Sequence, residues 1–314
     1  MRDSESSQIN DLNIDGNFKD FLMLLQKVNP CGQKYHYENS TLIVSYKLKM
    51  DILNLWGKLS LKVNTNVVGL PISVSRPGYL GDEADVESFL SRQKGLWIVL
   101  NGNNSFSTTA KTLSTFVFKN NFKAFNDYLS ALRSPYRRRI SKALKVRQLI
   151  SIQKSIFTTE HYLLYRDVLD RSEHPLEILP IEFFKEYDGD IYDFRSKEGD
   201  LLAFVQTSIQ DRQLVFLFCG FRRENVEKYD LYFNMLLWII QMGIENGVDE
   251  IDFGQTSEES KLKIGCEERE RYLFIHHHNW IIRLVLRKLL PMFSYKSYPI
   301  NHRVFKEDPY ADIS

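Results

Sequence analysis

The sequence predicts an α+β protein built in two halves. Strand-like and helix-like runs follow one another without the regular strand–helix alternation of a parallel α/β sheet. At 314 residues the chain can form one large core or two of ordinary domain size. Residues 201–265 form the most ordered stretch, running strand, strand, helix, strand and then a turn carrying Lys261, Lys263 and Gly265.

The elements follow from local chemistry. Residues 1–15 are polar and acidic and are expected to be flexible. Asn17–Val28 is an amphipathic helix with Asp15, Gly16 or Asn17 as its cap, ended by Pro30-Cys31-Gly32. Strands are expected over 34–36, 41–48, 57–63, 67–74 and 96–100, a helix over 82–92, and a turn at Asn101–Asn104. A strand over 114–118 and a helix over 122–132 complete a first domain, residues 16–133. Ser134-Pro135 opens a basic helix to about Gln148 and the second domain, residues 134–314. There follow a strand over 149–157, helices over 160–171 and 181–187, a strand over 190–196, and a hairpin over 201–221 turning at Gln210-Asp211-Arg212. Leu231, Met235, Trp238, Ile239 and Met242 recur at three- and four-residue steps, which makes 230–246 a helix that Gly247 ends. Ile251 and Phe253 alternate with Glu250 and Asp252 in a short strand. A last strand over 271–279 leads to a basic amphipathic helix over 280–293.

Composition excludes several classes. Lys plus Arg number 41 against 40 Asp plus Glu, so any basic site is local. Cys31, Cys219 and Cys266 show no CxxC spacing, which argues against a zinc knuckle or a disulfide framework and for a cytoplasmic protein. No signal-peptide core and no apolar run long enough to span a membrane are read. In His276-His277-His278 no carboxylate or cysteine stands at ligand spacing, and no metal is expected there. Cys219, among Phe216, Leu217 and Phe218, reads as a buried thiol. The cluster Arg133, Arg137, Arg138, Arg139, Lys142, Lys145 and Arg147 contains no acid. It suits a nucleic acid, an anionic sugar or nucleotide-sugar, or an acidic surface of the chain itself such as Asp188-Gly189-Asp190. The helix from Trp280 could lie on a membrane surface, but its wide apolar side is expected to pack onto the domain.

Gly220-Phe221, Tyr229, Tyr232, Asn234, Gly243, Asp252-Phe253-Gly254, and Lys261 or Lys263 with Gly265 form a pattern. With the basic helix from Tyr128 to Lys142, this pattern resembles the FemAB-like (CelD/BioF-like) branch of the GNAT N-acyltransferase superfamily, over roughly residues 120–280. The resemblance implies tandem GNAT-like domains, mixed sheets flanked by helices, with the donor site in the second. It implies transfer of an acyl group from acyl-CoA, acetyl-CoA above all, to an amine of a sugar, peptide or small polar acceptor by direct attack. It implies a lysine, Lys263, that stabilises the oxyanion or binds an acidic acceptor group; beside it Asp252 reads as the general base or as a capping or salt-bridging aspartate before the glycine turn, and Tyr229 or Tyr232 as the proton donor to the leaving group. Donor contacts fall on Gly220, Phe221, Arg222, Arg223, Lys228, Tyr232 and Asn234, and acceptor contacts on Arg137, Arg138 and Lys261. The glycine-rich pyrophosphate loop of the wider superfamily is missing here, which leaves two alternatives: an aminoacyl-tRNA-dependent ligase, with tRNA as partner, or an inactive binding protein.

Overall fold

The computed structural model describes residues 14–29, 31–51, 62–72, 75–107, 109–171, 178–296, 299–300 and 302–307. The chain divides into two compact units, residues 1–114 with 270–296, and residues 115–269 with 297–314. Each is a mixed sheet flanked by helices, so the expected α+β class holds. The division falls at Ser114 and not near Ser134, and it is not a single cut.

In the first unit, helix α1 (Gly16–Val28) starts where the Asp15 carboxylate accepts from the Phe18 N–H and buries Phe18, Leu22 and Leu25. Strands β1 (Lys34–Glu38), β2 (Thr41–Asp51) and β3 (Lys62–Val68) run antiparallel in succession, and the short β4 (Tyr79–Leu80) also pairs with β2. Two strands were expected over 57–63 and 67–74; a single strand stands at 62–68, and residues 57–61 and 73–74 lie outside those described. Helix α2 (Glu83–Ser91), capped by Asp82, leads to β5 (Leu96–Gly102), parallel to β3, and to β6 (Thr109–Lys111). The expected turn at Asn101–Asn104 begins later, because Asn101 at φ 59° stays in the strand.

The second unit begins with β7 (Thr115–Lys119) and helices α3 (Phe125–Ala131) and α4 (Ser134–Arg147), the basic helix. Then come β8 (Ser151–Ser155), α5 (Thr159–Leu169), α6 (Ile181–Glu186), β9 (Asp190–Arg195), β10 (Leu201–Gln210) and β11 (Gln213–Phe221). The β10–β11 hairpin turns where predicted, with Asp211 and Arg212 both left-handed. A 3₁₀ turn (Arg223–Asn225) and a short helix α7 (Val226–Tyr229) precede helix α8 (Leu231–Glu245). Asp230, at φ 48°, breaks what was expected as one helix from 230. Strand β12 (Glu250–Asp252), helix α9 (Glu258–Lys263) and β13 (Glu267–Arg269) follow; α9 was read only as part of a polar turn, and no element was expected over β13. The sheet order is β13-β7-β12-β11-β10-β9-β8, with β11 and β12 its one parallel neighbour pair among the described residues.

The chain then returns to the first unit with β14 (Tyr272–His277), which pairs with β5 and β6, and α10 (Trp280–Leu289). Strand β7 is thus antiparallel to β12, while β14 is antiparallel to β5. Each sheet is completed by a strand distant in sequence, which is why no linear cut separates the units. Both sheets repeat one plan: a hairpin, a helix, and a strand parallel to the hairpin's second arm. Helix α8 buries its own Leu231, Met235, Leu236, Leu237, Ile239 and Ile240 almost completely in the core of the second unit. In the first unit Val86, Phe89 and Leu90 of α2 pack with Trp97, Val99 and Phe274.

Candidate active site

The opening lies where β11 and β12 part. They pair only over Gln213–Val215 against Glu250–Asp252, although β11 continues to Phe221. Strand β12 stops because the Asp252 carboxylate turns back to accept from the Gly254 N–H at 2.7 Å, and Gly254 takes φ 68°. A bulge at Leu217 adds a second cause. Gln206 faces Phe218 and Thr207 faces Phe216, so one extra residue enters β11 and side-chain parity inverts. Phe216 packs with Phe253 on the α8 side, while Phe218 turns to Tyr165, Phe183 and Phe184 on the other face. Cys219 is thereby returned to the α8 side.

Into this opening α9 delivers Lys261. Its side chain is 2% exposed, and its ammonium donates to the Gly254 carbonyl at 3.2 Å and the Gln255 carbonyl at 2.7 Å. Burial lowers its pKa to about 8 from 10.5, against the upward pull of Cys266, Asp252, Cys219 and Glu258. Burial likewise pushes the Cys219 thiol up to about 12 and the Cys266 thiol upward, so both are neutral thiols at pH 7. Tyr232, on the first turn of α8, bonds Ser257; its hydroxyl is pushed above the ordinary tyrosine range by burial and by Cys219. The loop that holds the cluster is strained, with Thr256 at φ 63° and Ser257 at φ 52° beside Gly254. A buried amine, a neutral phenol and two thiols therefore converge beside an unpaired stretch of strand. Such groups can hold a developing oxyanion and protonate a leaving group.

The expected site residues separate. Lys263 is not at this opening: it lies on the outer side of α9 in an ion pair with Glu259 at 2.6 Å. Lys261, expected as an acceptor contact, takes the buried place. Asp252 is held by the Gly254 N–H and lies close enough to perturb Lys261 and Cys266. Tyr229 is buried with the Lys228 ammonium 4.8 Å from its ring centre, whereas Tyr232 is the tyrosine that bonds Ser257 and interacts with Cys219 and Cys266. Phe221 packs against Tyr232. Gly220 is taken up by packing, since a Cβ there would come 2.6 Å from the Leu164 and Tyr165 backbone of α5. Arg222 donates to the Leu201 carbonyl at 2.9 Å and pairs with Glu160 at 3.0 Å, while Arg223 is exposed. Asn234 is fully buried and ties α8 to its surroundings, donating to the carbonyls of Ala143 at 3.1 Å and Tyr229 at 2.9 Å. The start of α8 is no open glycine loop: α7 runs into it, and Asp230 there binds Arg139 through both guanidinium nitrogens.

On α4, Arg139 also lies over the Phe233 ring at 4.1 Å, and Arg147 donates to Gln241 at 2.6 Å. Arg133, Arg137, Arg138, Lys142 and Lys145 are exposed and make no ion pair among the described residues. The acidic partner expected at Asp190 is instead bound to Lys154 at 2.6 Å. In the first unit, His277 and His278 spend their Nδ1 atoms accepting from the Asn279 and Gly95 N–H groups, both at 3.0 Å.

One buried constellation escaped the sequence reading. His161 Nδ1 accepts from the Thr158 N–H at 2.9 Å, which leaves Nε2–H to donate to Asp193 Oδ1 at 2.7 Å. Asp193 Oδ2 accepts from Arg195 at 2.7 and 3.0 Å. The chain of bonds docks the start of α5 on β9. Its one visible trace was a Thr three residues before a His at a helix start.

No family model and no curated protein matches this sequence. Solved structures do share its fold. L-PGS from Bacillus licheniformis superposes with a TM-score of 0.52 at 12% identity, covering 86% of this chain and 96% of that one. The C-terminal domain of a candidate lysylphosphatidylglycerol synthetase from Agrobacterium fabrum gives 0.53 at 9%, covering 91% and 95%. FemX gives 0.50 at 10%, covering 91% and 98%. The chain therefore has the fold of these proteins, which is the fold that the resemblance to the FemAB-like branch implied.

Proposed function

We propose that this protein is a transferase that moves an acyl or aminoacyl group from an activated ester or thioester to an amine acceptor by direct attack. The observation that carries the reading is Lys261, an ammonium buried where β11 leaves β12, with only two of its three N–H donors spent on Gly254 and Gln255. Burying such a group is costly, and perturbed buried groups concentrate at functional sites. In the reaction the acceptor nitrogen bonds the donor carbonyl carbon. Negative charge develops on the carbonyl oxygen and is met by the remaining Lys261 N–H. The bond to the leaving oxygen or sulfur then breaks, with Tyr232 supplying the proton and the acceptor's proton returning to it. The fold shared with FemX and L-PGS supports this class.

Of the two donors the sequence suggested, charged tRNA is favoured over acyl-CoA. The start of α8, where the pyrophosphate of coenzyme A was expected, carries Asp230 and follows directly on α7. Arg133, which precedes α4, and the exposed Arg137, Arg138, Lys142 and Lys145 on it instead offer cations without an ion pair among the described residues. The test is a binding titration with aminoacylated tRNA and, in parallel, with a panel of acyl-CoAs. The expected result is salt-dependent tRNA binding that Arg137→Glu/Arg138→Glu weakens at least tenfold. Single-turnover transfer is expected to be lost in Lys261→Met with binding intact. Binding of an acyl-CoA but not tRNA would return the donor to coenzyme A; binding of neither would remove the enzymatic reading.

A further inference from the structure

We propose that α10 is a membrane-docking helix that seats the first unit on an anionic lipid surface. This rests on its own observations and not on the transferase reading. The helix was expected to pack onto its domain, and it does so only along one edge. Leu286 and Leu289 are half-buried and the following Leu290 is buried. Trp280, Ile281, Leu284 and Val285 are 62, 55, 49 and 52% exposed, and no residue of Trp280–Leu289 is buried. These residues stand at i, i+1, i+4 and i+5, so they share one side of the helix. A run of large aliphatic side chains with a tryptophan at its end, all facing outward, is uncommon on a water-facing surface.

The charges beside that side decide the occupant. Arg283 and Arg287 border one edge of it and Lys288 lies one turn beyond Leu284 at its C-terminal end, all exposed and without an ion pair among the described residues. The sequence from Arg271 to Lys306 contains no aspartate or glutamate, so nothing near in the chain offsets them. Apolar residues and a tryptophan on one side, flanked by long cationic side chains, match the boundary between acyl chains and anionic headgroups. The Asn279 side chain caps the helix, accepting from the Ile281 N–H at 2.9 Å, so the face is formed before any partner arrives. At ten residues the helix is about 15 Å long and lies along a surface. No helix among the described residues is long and apolar enough to cross a membrane.

The experiment is co-sedimentation of the full chain with vesicles of phosphatidylcholine alone or with one-third phosphatidylglycerol. Binding is expected to the anionic vesicles, and to fall at least tenfold in 0.5 M salt. Arg283→Glu/Arg287→Glu/Lys288→Glu and, separately, Trp280→Ser/Leu284→Ser/Val285→Ser should each reduce it at least tenfold with unchanged circular dichroism. A blue shift of tryptophan emission on binding, lost in Trp280→Phe while binding persists, reports the helix without relying on the multiple variants. The proposal is overturned if anionic vesicles do not bind, or if both variants bind as the wild type does. It is also overturned if sedimentation shows a dimer that the serine variant dissociates, because the face is then covered by a second copy.

Discussion

Replacing Lys261 by Met separates the energetic from the chemical role of the buried ammonium. The depression of its pKa from 10.5 to about 8 corresponds to about 3 kcal/mol, at about 1.4 kcal/mol per unit. The sign follows from proton counting. Between pH 8 and 10.5 the unfolded chain holds this proton and the folded chain does not, so folding stability rises with pH across that window. Below pH 8 the full penalty is present. Methionine removes the penalty but leaves the Gln255 carbonyl without the lysine's hydrogen bond, a loss of about 1 kcal/mol. The Gly254 carbonyl keeps a donor, the Phe116 N–H at 3.0 Å. Lys261→Met should therefore be more stable than the wild type by about 2 kcal/mol at pH 7, an advantage that shrinks and reverses as pH approaches 10.5. Urea unfolding of both proteins at pH 7 and pH 10 measures this. If the variant is instead less stable by 2 kcal/mol or more at pH 7, with a gap that does not change with pH, the lysine is a clamp for the Gly254–Ser257 turn and its charge costs nothing. That result would refute the reasoning. Transfer activity of the wild type, if the ammonium serves the oxyanion, should also decline as pH rises through about 8.

Further expectations rest on other contacts. Asp193→Ala leaves the buried His161 Nε2–H without its acceptor, while the partly exposed Arg195 keeps the Gly199 carbonyl, and should cost about 1–3 kcal/mol, read by chemical denaturation. Gly220→Ala forces a methyl onto the α5 backbone at Leu164 and Tyr165 and should cost about 1–3 kcal/mol, seen as a lowered melting temperature. Lys263→Ala removes only an exposed i,i+4 pair with Glu259; it should leave stability within about 0.5 kcal/mol and single-turnover transfer unchanged. Tyr232→Phe keeps the ring against Phe221 but removes the hydroxyl bonded to Ser257, and should slow transfer with little change in donor affinity.

The part of the fold legible in the sequence is the part fixed by neighbours along the chain. The β10–β11 hairpin was readable because Gln210-Asp211-Arg212 is a polar break between apolar runs, and the two turn residues do take left-handed conformations. Helix α8 was readable from its apolar steps, and only Asp230, a single residue with φ 48°, was missed. Strand exchange was not legible. Nothing local to Thr115–Lys119 tells whether it pairs with β5, close in sequence, or with β12, which it does. The same limit governs the site. Read as a turn, residues 255–265 assign no facing to either lysine, and the one nearer Gly265 appears the natural choice. Once Glu258–Lys263 is a helix, residues two apart point to nearly opposite sides, and Lys261 must go in if Lys263 goes out. Helix propensity in so short a polar run is too weak to announce this; Leu262 and Ile264 packing into the core imposes it. The strained backbone of Thr256 and Ser257 is held by the same arrangement, because the Lys261 ammonium bonds the carbonyls just before them. The residue proposed for the chemistry is thus also the one that fixes the loop beside it, so changes in that loop's conformation and changes in the lysine's charge should appear together in any titration of the site.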